Sequence, residues 1–445
     1  MKDAGGIAPC LEETIVAEFN SGLAQFSDAP ELAAALSIRR GELLPRFAFW
    51  YPALCRLPRC ARRALERRLL RELYIEYMPP RQSRRHMLRK LSRSIAAAAL
   101  LCAIAQTGEA ATITVTAKIP AIVDSDGNCS LAEAIVNANH DAATHPDCAA
   151  GSGADIIVLP KGTQQLAEAF TDYAGATGLP VIESAITVAG NHAKIARSKK
   201  APAFRLLAVA ASGDLTLEDV TLSGGSATKG GAILNYGSLA INASTISGNS
   251  ATSGGGIYSR GAAAALVIRD SVISKNEAEV GGALFSYQYV HIVDSTLSAN
   301  IASSEGGAIA NYDGYLRVEH STIAKNRAAR AAAGIDNVYG TAKIFNSVIT
   351  GNSAMYGGGV ENYGSGTAIG RLYIYDTMLT KNGAGVYAGG VANIHGYFKL
   401  ADSVVSGNKA ADRGGGVFNS AEATFVPSNS TIAKNKAPNG ADVYP

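Results

Sequence analysis

Along much of the chain, apolar residues alternate with polar ones in short stretches. The pairs are Leu215 and Leu217, Leu239 and Ile241, Leu266 and Ile268, Val290 and Ile292, Leu316 and Val318, Leu372 and Ile374, and Phe398 and Leu400. A period of two places both members of a pair on one face of a strand, and these stretches lack the 3.6-residue spacing of an amphipathic helix. The stretches sit inside a longer repeat. Its anchor residues Leu222, Ile246, Ile273, Leu297, Ile323, Ile349, Leu379, Val405 and Ile432 are 24 to 30 residues apart, a period in the range of stacked supersecondary units. One coil of about 26 residues holds about three strands and cannot bury its own inner face, but stacking at about 4.8 Å per coil does. The pattern therefore predicts an all-β chain wound as a parallel β-helix of about eleven coils, occupying residues 151–445.

Two further repeat positions bear on that prediction. Double glycines (Gly230-Gly231, Gly255-Gly256, Gly281-Gly282, Gly306-Gly307, Gly358-Gly359, Gly389-Gly390, Gly415-Gly416) fall where the chain has to turn with positive φ or pass close to its neighbours, and Ala333-Gly334 is the divergent copy. Asn249, Asn276, Asn300, Asn326, Asn352, Asn382, Asn408 and Asn435 take one place in successive coils. Their amides are expected to stack coil on coil as a structural ladder, not as sugar ligands.

Composition changes the picture only once the chain is divided. The formal charge is +3, but residues 1–86 hold 14 Lys/Arg against 10 Asp/Glu, residues 87–110 hold 3 against 1, and residues 111–445 hold 23 against 26. The repeat body is thus mildly acidic, and a nucleic-acid partner is not expected. From Met87, MLRKLSRS precedes an apolar run from Ile95 to Ala105 and then small residues up to Ala110, the order of a secretory signal peptide cut near Ala110. Eleven apolar residues are too few to span a bilayer, so no membrane span is expected after cleavage. Residues 1–86 are read either as an over-extended reading frame, translation beginning near Met87, or as a helical Arg-rich extension.

After cleavage only Cys129 and Cys148 remain, an even pair in an exported chain, and a disulfide is expected between them. Ser130 and Glu133 make a capping-box pattern, and Leu131, Ala134, Ile135 and Ala138 recur on one helical face. Residues 111–150 are therefore predicted as an N-terminal cap: a short helix laid over the open end of the solenoid and fastened by the disulfide. Without it, a raw strand edge would invite polymerisation.

The segment CSLAEAI, with a strand before it and a second Cys after it, resembles the CSLREA-domain proteins, exported bacterial β-helix proteins; Ala132 stands where that motif has Arg. The repeats GGAILN, GGALFS, GGAIAN, GGGVEN and GGGVFN resemble those of polymorphic outer-membrane proteins and related adhesin-like passengers. The resemblance runs from Thr112 to the C-terminus. It implies a right-handed helix of the pectate-lyase-like kind, secreted, at the cell surface or in the periplasm. Polymorphic outer-membrane proteins end in a membrane barrel; with ten residues given after Asn435, self-anchoring in an outer membrane is not expected from this sequence.

Right-handed β-helices often host polysaccharide lyases and hydrolases, so the surface was searched for chemistry. The chain has no Asp-Asp pair, Gly-His-Gly or Arg-Ile-Lys of the polygalacturonase kind, no nucleophile elbow, and histidines (His140, His145, His192, His291, His320, His395) spread over distant places. Asp219, Asp270, Asp294, Asp376 and Asp402 share one repeat position, interrupted by His320 and Asn346. Asp270 and Asp294, about 5 Å apart on adjacent coils, are either a Ca²⁺ site or turn residues bonding the next Ser/Thr amide. No other cofactor is expected. Registering the coils places Tyr289 and His291 on one rung, Tyr315, Arg317 and Glu319 on the next, then Lys343 and Phe345, then Arg371, Tyr373 and Tyr375, then Tyr397 and Lys399. Rings stack on sugar faces and cations pair with uronate or sulfate groups. This stripe predicts non-catalytic binding of a polysaccharide or cell-surface glycan, with a polysaccharide lyase and a structural envelope component as the alternatives.

Overall fold

A computed structural model describes residues 110–445 except 118, 119, 124 and 262. The expectations for residues 1–86 and for the export signal up to residue 109 fall outside the described residues.

One coil shows how the repeat folds. Ile233–Asn235 belongs to a ten-stranded sheet, here sheet II. Ser238–Asn242 and Thr245–Ser247 form two ribbons of a twenty-one-stranded sheet, sheet I. Ser250–Ser253 belongs to the eight-stranded sheet III, and the chain re-enters sheet II at Ile257–Ser259. The coil thus has four short strands where about three were expected. A single left-handed residue after the long strand, Ala243 in this coil, splits sheet I into its two ribbons. The ribbons merge where Ala185–Arg197 and Asp214–Ser223 run through as continuous strands. Strands that stack coil on coil pair in parallel, as in Leu239 with Leu266 and Ile233 with Ile257. The ten strands of sheet II give about ten turns, against the eleven expected.

The alternating pairs all point inward. Leu239, Ile241, Leu266, Ile268, Leu316, Val318, Leu372, Ile374, Phe398 and Leu400 are fully buried in one continuous core. Each contributes about 1.5–3 kcal/mol of burial, so stability accumulates coil by coil. The asparagine ladder is present from end to end: Asn249 Nδ2 donates to Asn276 Oδ1 at 3.0 Å, and the pattern continues to Asn408 and Asn435 at 3.0 Å. A second ladder, not foreseen, runs through Asn311, Asn337, Asn362, Asn393 and Asn419, at 2.7–2.8 Å per step.

The glycines divide their two expected tasks between neighbours. Gly281 makes the turn at φ 69°, while a Cβ on Gly282 would lie 2.3 Å from the Gly307 carbonyl of the next coil.

At the N-terminal end, Leu131–His140 forms helix α1. Ser130 Oγ accepts from the Glu133 amide at 3.2 Å and Glu133 Oε2 accepts from the Ser130 amide at 2.8 Å, completing the capping box. Its apolar face, Leu131, Ala134, Ile135 and Ala138, is buried in the same core as the first coils. The disulfide Cys129–Cys148 is formed. Asn139 ties the helix to the solenoid by donating to the Val181 carbonyl at 2.7 Å.

Candidate functional site

The outer face of sheet I carries the aromatic and cationic stripe in the predicted register. Tyr289, Tyr315, Thr341, Arg371 and Tyr397 form one column, and His291, Arg317, Lys343, Tyr373 and Lys399 the next. Val293, Glu319, Phe345, Tyr375 and Ala401 form the third. In-register stacking follows: Tyr289 on Tyr315 at 5.6 Å and 5°, and Phe345 on Tyr375 at 5.2 Å and 8°. Cations fill the spaces between rings. The Arg317 guanidinium lies 4.7 Å from the Phe345 ring, the Lys343 ammonium 5.6 Å from both Tyr315 and Tyr373, and the Lys399 ammonium 5.7 Å from Tyr375. Such contacts are worth about 0.5–1 kcal/mol each when exposed and more when desolvated, and they hold long side chains in place before any ligand arrives.

The stripe is less open than alternation alone implies. Arg371 is exposed and most other members are half-buried, but His291 is only 9 % exposed. Its Nε2 lies 2.7 Å from Glu319 Oε2, and Arg317 donates to Glu319 Oε1 at 2.5 Å. Burial pushes the Glu319 carboxyl up, but the bonds from His291 and Arg317 outweigh it and hold the group at about 2. Glu319 is therefore an ionised anchor that orients His291 and the Arg317 guanidinium.

The aspartate column lies immediately beside the stripe, at the bend between the two ribbons. Asp219, Asp270, Asp294, Asp376 and Asp402 all adopt left-handed backbone, with φ between 48° and 52°, as do His320, Asn346 and Asn429. Asp and Asn are the residues that tolerate this conformation best after Gly, which accounts for the residue type. The expected bond from Asp to the following amide gives way to another: the Ser271 amide donates to Ser295 Oγ of the next coil at 3.1 Å, so the hydroxyls form a ladder of their own. Asp219 instead binds His192 Nδ1 at 2.6 Å. Among the described residues, no group of three or more His, Cys, Asp or Glu side chains is arranged to hold a metal ion.

A second cluster, missed in the sequence, lies on the outer face of sheet II. Asp336 and Glu361 occupy paired positions on adjacent strands, Ile335–Val338 and Val360–Tyr363. They are 1 % and 8 % exposed, and Asp336 Oδ2 and Glu361 Oε2 have no hydrogen-bond partner among the described residues. Burial, reinforced by Glu361 and Glu305, pushes Asp336 well up; burial and the Glu305 charge raise Glu361 to about 7. Glu305 is itself bonded to Arg330 and accepts from the Tyr312 hydroxyl at 2.6 Å. Burial raises the Tyr312 phenol, and burial with the Glu361 charge takes Tyr387 up to about 12. The signal was in the repeats: the residue before the position of the second ladder, which holds Asn or, at 259 and 286, Ser, is Leu234, Tyr258, Phe285, Ala310, Ala392 or Phe418 in other coils, and acidic only in these two.

Elsewhere the titratable groups have structural duties. Arg205, fully buried, donates to the carbonyls of Tyr173 and Ala174 at 3.0 and 2.8 Å and so pins the hairpin Thr171–Asp172 with Ala176–Thr177. A shallow groove of about 460 Å³ over sheet III is lined mainly by small and apolar residues such as Ala302, Ala328, Ala354 and Met355, with Arg327 its single ionisable member. No described helix is long and apolar enough to cross a membrane.

Comparison with known proteins bears on the architecture. The family described as right handed beta helix region matches residues 206–382. No curated protein matches the sequence. Among solved structures the chain is similar to the A-module of mannuronan C-5 epimerase AlgE4 from Azotobacter vinelandii, with 12 % identity and a TM-score of 0.39, over 71 % of this chain and 92 % of that module. The chain folds as a right-handed parallel β-helix of about ten turns with very little helix.

Proposed function

We propose that this β-helix binds an extended acidic glycan along the outer face of sheet I, from Tyr289 to Lys399, without catalysing a reaction on it. The observation that carries this reading is the interleaving of stacked rings with cations over five rungs, with Arg317, Lys343 and Lys399 each within 6 Å of a ring face. Five rungs cover about 20–25 Å at coil spacing, a length suited to a run of several sugars. The charge favours an acidic polymer: Arg317, Lys343, Arg371 and Lys399 stand against the single carboxylate Glu319, and the flanking aspartate column is interrupted by His320 and Asn346 beside Arg317 and Lys343.

In the same reading the chain is exported and belongs with the adhesin-like β-helix proteins that its CSLAEAI cap and GGAI-type repeats resemble. The Cys129–Cys148 disulfide supports an oxidising compartment.

The test is retention of an acidic polysaccharide panel by residues 111–445, compared with the R317A/R371A/Y373A variant. Retention of at least one polymer, weakened tenfold or more in the variant, is expected. Undiminished retention by the variant removes the binding reading. Unsaturated products absorbing in the ultraviolet would replace it with a lyase.

A further inference from the structure

We infer that Asp336 and Glu361 form a buried binding site for one divalent, oxygen-seeking metal cation, of which calcium is the type case. The site is independent of the glycan-facing surface of sheet I.

Four observations converge on it. The two residues are in register on neighbouring parallel strands and project from the same face, so their carboxyl groups start about 4.8 Å apart, a span one cation can bridge. Each side chain is more than nine-tenths buried and carries an oxygen, Asp336 Oδ2 or Glu361 Oε2, with no partner among the described residues; buried polar atoms left in this way are rare and costly. The nearby cation Arg330, whose side chain is two-thirds exposed, is bonded to the adjacent Glu305, so among the described residues neither Asp336 nor Glu361 has an ion-pair partner of its own. Finally, the turn beside them packs closely on Glu361. Gly357 has φ 57°, and a Cβ there would stand 3.3 Å from Glu361 Oε2.

A divalent ion cancels both charges at once and takes the two orphaned oxygens as ligands. Further oxygens are near: Tyr312 and Tyr387 lie close enough for their phenols to feel Asp336 and Glu361 respectively. Protons compete with a cation for carboxylate oxygens, so cation binding strengthens as pH rises.

Terbium, a luminescent substitute for calcium excited through nearby tyrosine rings, reads this site directly in the full chain. At pH 8, wild type is expected to give a saturable single-site signal that calcium displaces and that weakens at least tenfold at pH 5. The signal should fall tenfold or more in D336N/E361Q and stay unchanged in D270N/D294N, which removes the exposed aspartates instead. Both variants replace carboxylates by near-isosteric amides, and their folding is checked by far-ultraviolet circular dichroism. For wild type alone, calcium should raise the melting temperature at pH 8 and not at pH 5. No terbium signal from wild type at pH 8, a signal that survives in D336N/E361Q, or one lost in D270N/D294N overturns the assignment.

Discussion

The outer faces of sheets I and II are built from the same coils, yet they treat charge in opposite ways. On sheet I, Glu319 is buried to a similar degree as many core-flanking residues but is bonded to His291 and Arg317, and it stays ionised. On sheet II, Asp336 and Glu361 are bonded to no cation among the described residues, and burial pushes both carboxyls up. The difference lies in what stands beside each carboxyl: Arg317 on the same strand and His291 on the neighbouring one for Glu319, Ala310 and Ala392 in register with Asp336 and Glu361. A solenoid can therefore place a stabilising ion pair and a strained carboxyl pair on adjoining faces with no change of backbone.

The contrast has opposite signs in pH. The raised carboxyls of Asp336 and Glu361 retain protons in the folded chain that the unfolded chain releases, so stability is undiminished below their ordinary values of 3.8 and 4.5 and declines as pH rises, through about 7 for Glu361. In calcium-free buffer, D336N/E361Q should therefore be more stable than wild type at pH 8, on the order of 3 kcal/mol, and equal to it at pH 4. Chemical unfolding at the two pH values measures this, and a variant with the same pH dependence as wild type would break the comparison on the sheet II side.

Glu319 is the mirror case. Its carboxyl, lowered from 4.5 to about 2, contributes fully above pH 4.5 and loses that contribution as pH falls to 2. E319Q should cost on the order of 2 kcal/mol at pH 7 and nothing near pH 2. Thermal melts across that range check it, and a cost that persists at pH 2 would mean that shape, not charge, is what Glu319 provides. The smallest effect is expected at Lys343, which sits between Tyr315 and Tyr373. K343Q should lose about 0.5–1 kcal/mol while weakening acidic-glycan retention. A stability loss without a retention loss would assign Lys343 to packing alone.

What the sequence disclosed follows from what repeats. Leu239 and Ile241 read as inward because their neighbours Ala240 and Asn242 are not, and the same alternation registered Arg317 with Lys343 and Tyr373 before any coordinates. The ladder of Asn249 to Asn435 was equally plain, since one amide recurs in every coil. Asp336 and Glu361 were obscure for the complementary reason: they are exceptions, in a position that elsewhere varies from Leu234 to Phe418. The column of Asp270 and its equivalents was visible as a repeat, but not the left-handed bend it makes, because Asp and Asn also serve ordinary turns.

The asparagine ladders have a direction. From Asn249 to Asn408 every Nδ2 donates to the Oδ1 of its C-terminal neighbour, and the steps from Asn311 to Asn419 run the same way, although Asn311 Oδ1 starts its series without a partner among the described residues. The amide dipoles therefore add along the solenoid axis, with the donor end at the last coil. There Asn435 donates to the Asp442 carboxylate at 3.0 Å, a negative charge seated on the positive pole, as acidic residues are at the start of an α-helix. At the opposite end the Gly225 amide supplies Asn249 Oδ1 at 2.9 Å. A whole coil removed or inserted between these two terminators leaves every amide in the series with a donor and an acceptor, so the length of this rod is free to change in units of one turn.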